Sequence, residues 1–101
     1  MSMHVDHLQD KSIIKFDHEK ILGSENEAFQ NHVQVSIKKG CKSISVDLSN
    51  VKYMASWGIG MLIQGYKTCT SQDVKFNVTK VNPPVMKVFN QLKLTELFDI
   101  D

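Results

Sequence analysis

The chain has 101 residues, of which 42% are hydrophobic and 23% charged, and its formal net charge is +1. This length predicts one domain over residues 1–101 that can bury its own core. A charge so close to zero, with lysines and acids interspersed, argues against a nucleic-acid-binding or membrane-surface protein. No apolar run approaches the roughly 20 residues of a membrane span, and the start lacks the apolar centre of a signal peptide. We therefore expect a cytoplasmic protein.

Short extended segments are predicted along the chain. They are marked by β-branched residues or by alternation of apolar and polar side chains, as where Ile44, Val46 and Leu48 share one face. No repeat, low-complexity tract or linker interrupts them. The predicted extended segments are residues 4–8, 12–16, 20–22, 43–48 and 74–78.

A first helix is predicted from Ser24 to about residue 39. Ser24 followed by Glu27 has the spacing of a capping box, in which each side chain satisfies an amide of the first turn. Apolar residues then recur at helical spacing, and Gly40 suits the left-handed end of a helix. Glu25, Glu27 and the lysines of this segment are expected on its solvated face.

A closing helix is predicted near the end of the chain. Asn82 is interpreted as its N-cap, with Pro83 at the first helical position, where proline fits best. A short helical turn near Thr95 is expected to close the domain. Alternating strands and helices with short links predict an α/β layer fold.

The segment VDLSNVKYMASWGIGMLIQGYK, residues 46–67, joins a predicted strand to a third helix. From Ser56 onward the apolar residues take helical spacing, and Gly58 and Gly60 fall in the first turn, where glycine lets other backbone approach closely. Ser56 is predicted to cap this helix. It follows the carboxyl end of a strand, where α/β sheets place their functional surface.

Two interpretations of Ser56 are possible. As an ordinary cap, its oxygen accepts an amide hydrogen and contributes about 1 kcal/mol. As a phosphorylation site, it would carry about −1.5 to −2 charges beside the positive end of the helix dipole, which the fold would tolerate. A partner docked on the same surface would not tolerate that charge, because burying a charge in a dry contact costs several kcal/mol.

The same segment resembles the signature of STAS domains, the family of bacterial anti-sigma factor antagonists. In that signature an apolar strand ends in Asp-Leu. After a short turn and an apolar-aromatic-Met/Ile step comes a phosphorylatable serine or threonine, which one residue separates from Gly-Leu/Ile-Gly at a helix start. The closing segment VNPPVMKVFNQLKLTELFDI is also similar to the end of the family's domain. The matching positions here are Asp47, Leu48, Val51, Met54, Ser56, Gly58, Ile59, Gly60 and Leu62.

The resemblance implies a single STAS-type domain, with a mixed β-sheet of four to five strands and helices mainly on one face. It implies that a GHKL-type kinase phosphorylates Ser56 and that a PP2C-type phosphatase reverses this. One phosphorylation state would engage a downstream target, and the output would be bacterial signalling such as sigma-factor activity or biofilm and polysaccharide production. The chain is expected to be a monomer that forms heterocomplexes, without catalysis, cofactor or metal of its own.

The family often has Asp before the phosphorylated residue and Ser or Thr after it, whereas Ala55 and Trp57 stand at these positions here. The missing carboxylate removes a charge partner for the kinase and also a repulsion against the phosphate. Trp57 is either an exposed interface anchor or packed against Tyr53 or Met54. Partner contacts are expected at Met54, Ala55, Ser56, Trp57, Gly58 and Ile59.

Two enzyme or cofactor motifs fit the sequence less well. The third glycine after Gly58 and Gly60 comes at Gly65, which is not the spacing of a dinucleotide-binding loop. Ser56 lacks the preceding glycine of a hydrolase nucleophile, because Met54 occupies that position.

Histidines and cysteines give two further candidates. His4 and His7 have a spacing compatible with one metal ion, but no further ligands cluster with them, so they are expected on the surface. Cys41 and Cys69 are expected to be reduced and partly buried, or else to form a redox pair.

One alternative function remains open alongside the phosphorylation switch. A STAS domain can also act as an unmodified adaptor subunit that docks on a transporter ATPase or a sensory complex. A set of partners that does not depend on Ser56 would indicate this alternative.

Overall fold

Six strands and three helices lie along residues 3–100, the part of the chain that the computed structural model describes. Residues 1, 2 and 101, the ends of the predicted domain, lie outside the described residues. None of the described helices is long and apolar enough to cross a membrane. In chain order the elements are β1 (Met3–His7), β2 (Lys11–Phe16), β3 (Lys20–Ile21), α1 (Asn26–Lys38), β4 (Ser43–Asp47), β5 (Tyr53–Met54), α2 (Ser56–Ser71), β6 (Lys75–Thr79) and α3 (Pro83–Gln91).

The main sheet has four strands in the order β1-β2-β4-β6. β1 is antiparallel to β2, and the other neighbours are parallel. Parallel neighbours need crossover connections, and α1 and α2 lie in those connections. The α/β fold class with a mixed sheet is therefore confirmed.

The core lies between the sheet and the helices. Ile14, Phe16 and Val46 point inward from the strands and are fully buried. Phe29 of α1 stacks on Phe16 with ring centroids 5.6 Å apart, and Leu62 of α2 is also fully buried. Each such side chain contributes about 1.5–3 kcal/mol when it leaves water, so this layer accounts for much of the stability.

The opposite face of the sheet is polar but partly buried. The hydroxyl of Ser45 donates a hydrogen bond to the side-chain oxygen of Asn77 on the neighbouring strand. The Asp47 carboxylate accepts a hydrogen bond from the Ser49 amide at 2.8 Å and lies 3.7 Å from the Lys80 Nζ. These contacts satisfy polar groups that would otherwise be costly to bury.

Two predicted helix caps are wrong in detail. α1 begins at Asn26 with Glu25 at the N-cap, and no side chain caps it, so Ser24 and Glu27 do not form a capping box. Asn82 is the N-cap residue of α3, as predicted, but its side chain does not cap that helix. Instead, its amide donates to the carbonyl oxygens of Ser49 and Val51 at 2.9 and 2.8 Å, because the turn after β4 lies within reach.

A second, two-stranded sheet fixes the start of α2. β3 and β5 pair in parallel, with Ile21 opposite Met54. The Ala55 amide then donates to the Ile21 carbonyl oxygen at 2.9 Å. The chain therefore enters α2 directly from a strand that is tied to β3.

The C-terminal segment closes the core along β6. Phe98 is fully buried, with its ring centroid 5.4 Å from that of Phe89 and 6.1 Å from that of Phe76. The Val78 amide of β6 donates to the Phe98 carbonyl oxygen at 2.9 Å. The tail thus covers part of an edge strand that would otherwise be exposed.

Both cysteines are free and buried. Burial, and secondarily the nearby Cys41, raises the pKa of Cys69 to about 12. Burial also raises the pKa of Cys41, against hydrogen bonds that lower it. Raised thiol pKa values favour the protonated, unreactive form. The free thiols agree with the first of the two alternatives, reduced cysteines, although both are more buried than predicted.

Candidate functional site

Ser56 is exposed and is the first residue of α2, not its N-cap. The N-cap is Ala55, whose carbonyl oxygen accepts hydrogen bonds from the Gly58 and Ile59 amides at 2.9 and 3.1 Å. The predicted capping role of Ser56 is therefore wrong, because the extended backbone ends one residue earlier than predicted. No side chain caps α2, so the first turn does not use the Ser56 hydroxyl.

The start of α2 is electrostatically suited to an added anion. The first amides of any helix lack partners within the helix, and its N-terminus carries the positive end of the dipole. α2 runs for 16 residues and has no acidic side chain in its first turn. The Ala55 and Gly58 amides donate to the carbonyl oxygens of Ile21 and Ala55. A negative group on the Ser56 hydroxyl would therefore meet the amides of Ser56 and Trp57, with no neighbouring carboxylate from that turn.

Trp57 is 80% exposed, which settles the two interpretations of this side chain in favour of the exposed one. Tyr53, in the strand that leads into α2, is 54% exposed, and Leu22, which follows the paired strand β3, is 53% exposed. Large exposed apolar side chains close together are typical of interaction surfaces. Each of the three segments near Ser56, namely β5, the residues after β3 and the start of α2, thus exposes one large apolar side chain.

A groove of about 440 Å³ lies between the N-terminal ends of α1 and α2. Gln30 of α1 links its two sides, because its amide donates to the Asn26 side-chain oxygen and to the Met61 carbonyl oxygen, each at 3.0 Å. Ser56 and Trp57 belong to the wall that α2 contributes. We call this feature the Ser56 groove, and it is lined by Gly23, Asn26, Ser56, Trp57, Gly60, Met61 and Gln64.

The glycines of α2 differ in what surrounds them. A Cβ on Gly58 would lie 2.9 Å from Cγ2 of Ile21, and a Cβ on Gly65 would lie 2.8 Å from Cε2 of Phe29. Both positions therefore need glycine for packing within the chain. A Cβ on Gly60 would meet nothing within 4 Å, so packing does not explain this glycine. It leaves bare backbone in the Ser56 groove.

The structure divides the six residues expected to contact a partner. Met54 and Ile59 are 5% and 7% exposed and Gly58 is buried, so they support the surface from below because they face the core. Ala55 is half-buried, and Ser56 and Trp57 are exposed. Only these last three can touch a docked protein with their side chains.

Residues of the β3–α1 loop and of the start of α1 belong to the same surface and were missed by sequence reasoning. Gly23 and Asn26 line the Ser56 groove, although they precede Ser56 by about thirty residues in the chain. The signature does not include them. The parallel pairing of β3 with β5 brings this loop to the site. β3 lies in the predicted segment 20–22, but β5 and the pairing between the two strands were not predicted, because local periodicity does not report distant contacts.

Glu25 in this loop is buried, with 8% of its surface exposed, so its predicted place on a solvated face is wrong. Its Oε1 accepts a hydrogen bond from the Gly23 amide at 3.1 Å, and its Oε2 lies 3.5 Å from Nδ1 of His18. These two partners compensate for the burial of the carboxylate.

Comparison with known proteins gives a consistent family. A family model described as "STAS domain" matches residues 3–101. The "Anti-sigma F factor antagonist" of Paenibacillus polymyxa is 29% identical over 63 residues, which cover 62% of this chain and 54% of that protein. The match thus spans about half the length of this curated relative.

Solved structures of similar proteins show the same fold. An anti-sigma-factor antagonist (STAS) domain protein from Planctomyces limnophilus has a TM-score of 0.81 and 18% identity, over 98% of this chain and 87% of that one. SpoIIAA in its unphosphorylated form has a TM-score of 0.81 and 14% identity, with the same two coverages. SpoIIAA of Bacillus in its phosphorylated form has a TM-score of 0.74 and 12% identity, over 98% and 90%. At such low identities these likenesses show the fold alone.

Proposed function

This chain belongs to the STAS domain family, and from that premise we propose that it is a protein-binding regulator switched by phosphorylation of Ser56. One observation carries the proposal. Ser56 is exposed at the first position of α2, in the wall of the Ser56 groove and next to the exposed Trp57. The relatives named as antagonists of anti-sigma factors support a regulatory function in which no reaction is catalysed by this chain.

The folded domain accommodates the phosphate. A phosphoserine carries about −1.5 to −2 charges at pH 7. At the first position of α2 these charges lie beside the positive end of the dipole, and the helix has no acidic side chain in its first turn. Ser56 makes no capping bond that the modification would break. Phosphorylation therefore leaves the fold intact.

A partner docked over the same surface does not accommodate the phosphate. Such a partner covers Trp57 and enters the Ser56 groove, where the Ser56 oxygen becomes buried. Removing the phosphate from water in that contact costs several kcal/mol. A loss of about 3 kcal/mol weakens binding by more than a hundredfold. The same surface thus distinguishes the two forms of the protein.

The proposed partners follow the family pattern. A GHKL-type serine kinase binds the unmodified domain and phosphorylates Ser56, and a PP2C-type phosphatase removes the phosphate. A downstream protein engages one of the two forms. We further propose biofilm or polysaccharide production as the output, because the sequence resembles the biofilm regulator SypA, a single-domain member of the family.

Affinity capture from the native cell tests this proposal. Wild type, Ser56→Ala and Ser56→Asp are used as baits side by side, and Ser71→Asp serves as the control, because Ser71 is exposed at the other end of α2. We expect the two Ser56 variants to retain different proteins while unfolding at similar temperatures. The control should retain the same proteins as wild type.

Phosphate mapping completes the test. The captured kinase is incubated with wild-type protein and ATP, and the modified residue is identified by mass spectrometry. Phosphate on Ser56 is the expected result. Phosphate on another residue would remove Ser56 from this function, and identical captured proteins for all baits would instead indicate the unmodified adaptor subunit.

A further inference from the structure

Glu25 is a buried carboxylate between β3 and α1 that the proposed phosphorylation reaction does not use. Only 8% of its surface is exposed. The Gly23 amide donates to Oε1 at 3.1 Å, and Nδ1 of His18 lies 3.5 Å from Oε2. Acidic residues are rarely buried unless they are paired, so the position of this carboxylate is specified by its two partners.

The carboxylate closes a turn around Gly23. The Asn26 amide donates to the Gly23 carbonyl oxygen at 3.1 Å, while the Gly23 amide donates to Glu25. Both backbone polar groups of Gly23 are therefore bound within four residues. Gly23 has a φ of +107°, a backbone conformation that other residues rarely adopt.

Gly23 in turn lies against the start of α2. A Cβ built on Gly23 would clash with Cβ of Trp57 and would lie 3.5 Å from its Cα. The backbone of the loop and the backbone of the helix are thus in close contact. Any shift of Gly23 changes the space available to Trp57, the residue that follows Ser56.

We propose that Glu25 is a positioning residue of the Ser56 groove. Through its hydrogen bond to the Gly23 amide it holds the β3–α1 loop against Trp57, and so fixes the wall that the loop contributes to the groove. Its value for partner recognition rests on the proposed function, since a partner reads this groove. The effect of Glu25 on the position of Trp57, by contrast, needs no partner and can be measured on the isolated domain.

His18 is the second partner of Glu25 and lies on its solvent side. Its side chain is about half exposed, at 51%, whereas that of Glu25 is 7% exposed. His18 therefore lies between the buried carboxylate and solvent, next to the oxygen that Gly23 does not use. The acceptor for the Gly23 amide is the essential part, and glutamine can supply it without the charge.

Nuclear magnetic resonance of the purified domain tests the inference directly. The chain has one tryptophan, so a single indole N–H signal reports on Trp57. Glu25→Ala should shift this signal and the amide signals of residues 56–58, and should accelerate hydrogen exchange of the Gly23 amide by about tenfold or more. Glu25→Gln retains an acceptor of the same reach and should resemble wild type at residues 56–58. Glu27→Ala is the control, because Glu27 lies only two residues further along the chain but is exposed, and this change should leave these signals unchanged.

Two results would overturn the inference. One is that the changes caused by Glu25→Ala stay within residues 22–26 and do not reach Trp57. The other is a Gly23 amide that exchanges in the wild type as fast as an unprotected loop amide. If Glu25→Ala does not fold, Glu25→Asp replaces it, because the shorter side chain keeps the charge but loses the reach to Gly23, and the same shifts are expected.

The outcome is separable from that of the proposed function. Coupling between Glu25 and Trp57 in the spectra, together with no phosphate on Ser56, would refute the switch and leave the positioning role in place. Phosphorylation of Ser56 without any coupling would refute the positioning role and leave the switch in place.

Discussion

Gly23 and Gly40 share a left-handed backbone but have different surroundings. Their φ angles are +107° and +88°. A Cβ on Gly40 would meet nothing within 4 Å, whereas a Cβ on Gly23 would clash with Trp57. Gly40 thus needs glycine for its backbone conformation alone, and Gly23 needs it also for the approach of the loop to α2.

Gly23→Ala is therefore expected to destabilise the domain more than Gly40→Ala. Left-handed backbone costs a non-glycine residue about 1–2 kcal/mol, and the clash at Gly23 adds about 1–3 kcal/mol. Urea denaturation of both variants measures the difference in the free energy of unfolding. Equal losses would show that the contact between Gly23 and Trp57 is not tight in solution.

Asp47 makes stability depend on pH. Burial alone would raise its pKa, but hydrogen bonds from Ser49 and the charges of Lys80 and Lys15 outweigh burial, so the pKa lies below the ordinary value of 3.8. A carboxyl group whose pKa is lowered by folding stabilises the fold above its unfolded pKa. It loses that contribution as the pH falls through the folded value.

Asparagine keeps a neutral acceptor but loses the charge, so Asp47→Asn should cost about 1–2 kcal/mol near neutral pH, the difference between hydrogen bonds to charged and to neutral groups. The difference from wild type should shrink as the pH falls below 3.8, the ordinary value for this group. Denaturation at a series of pH values measures it, with Asp10→Asn as the exposed control. A loss that is constant with pH would assign the effect to packing and not to charge.

At the scale of elements, α2 combines a packed side with an open one. Gly65 faces the ring of Phe29, whose Cε2 would lie 2.8 Å from an added Cβ, and Gly60 faces the Ser56 groove. Glycine within a helix costs about 0.5–1 kcal/mol relative to alanine. Glycine at position 60 therefore lowers the stability of the domain, and no packing contact within the domain compensates for this loss.

Alanine at the two glycines should act in opposite directions. Gly60→Ala is expected to raise the free energy of unfolding by about 0.5–1 kcal/mol, and Gly65→Ala to lower it by about 1–3 kcal/mol. Thermal unfolding of the two variants compares them. If Gly60→Ala lowers the melting temperature, Gly60 serves the fold and not the groove.

Elements with strong periodicity were predictable, and those held by distant contacts were not. The alternation of Ile44, Val46 and Leu48 and the helical spacing after Ser56 predicted β4 and α2 closely. The predicted segment 20–22 covers β3, but β5 and its pairing with β3 were not predicted, because that pairing joins segments about thirty residues apart. The burial of Glu25 depends on that same pairing, since the loop after β3 is brought against α2.

Helix caps were likewise predictable where they depend on neighbouring residues, and not where they depend on distant contacts. The start of α3 at Pro83 was predictable from a local rule. The bonds of the Asn82 amide were not, because its acceptors are carbonyl oxygens of the turn after β4. The signature located Ser56 at the start of α2, but not the groove beside it, which needs the loop from β3.

At the scale of the whole molecule, the C-terminal segment completes the core. Phe98 is fully buried against Phe89 and Phe76, although it lies outside the helices and strands. Phe98→Ala should cost about 3–5 kcal/mol, the usual loss for a buried phenylalanine. Leu92→Ala, at a residue that is 53% exposed, is the control and should change little. A small loss in both variants, measured by urea denaturation, would mean that the tail is not docked in solution.

The whole domain separates stability from recognition. Its core lies between the sheet and the helices, whereas Ser56 and Trp57 are exposed at the first turn of α2. A charge added at Ser56 therefore reaches few buried groups of this chain. Under the proposed function Ser56 lies within the surface that a partner covers, so we expect one small modification to change binding without unfolding the protein.

The most direct test of this account is the affinity of one captured partner for the two forms of the domain. Calorimetry would compare unmodified protein with protein phosphorylated at Ser56, after circular dichroism has shown that both are folded. We predict a difference in dissociation constant of more than about a hundredfold, corresponding to about 3 kcal/mol. Equal dissociation constants for the two folded forms would contradict the account.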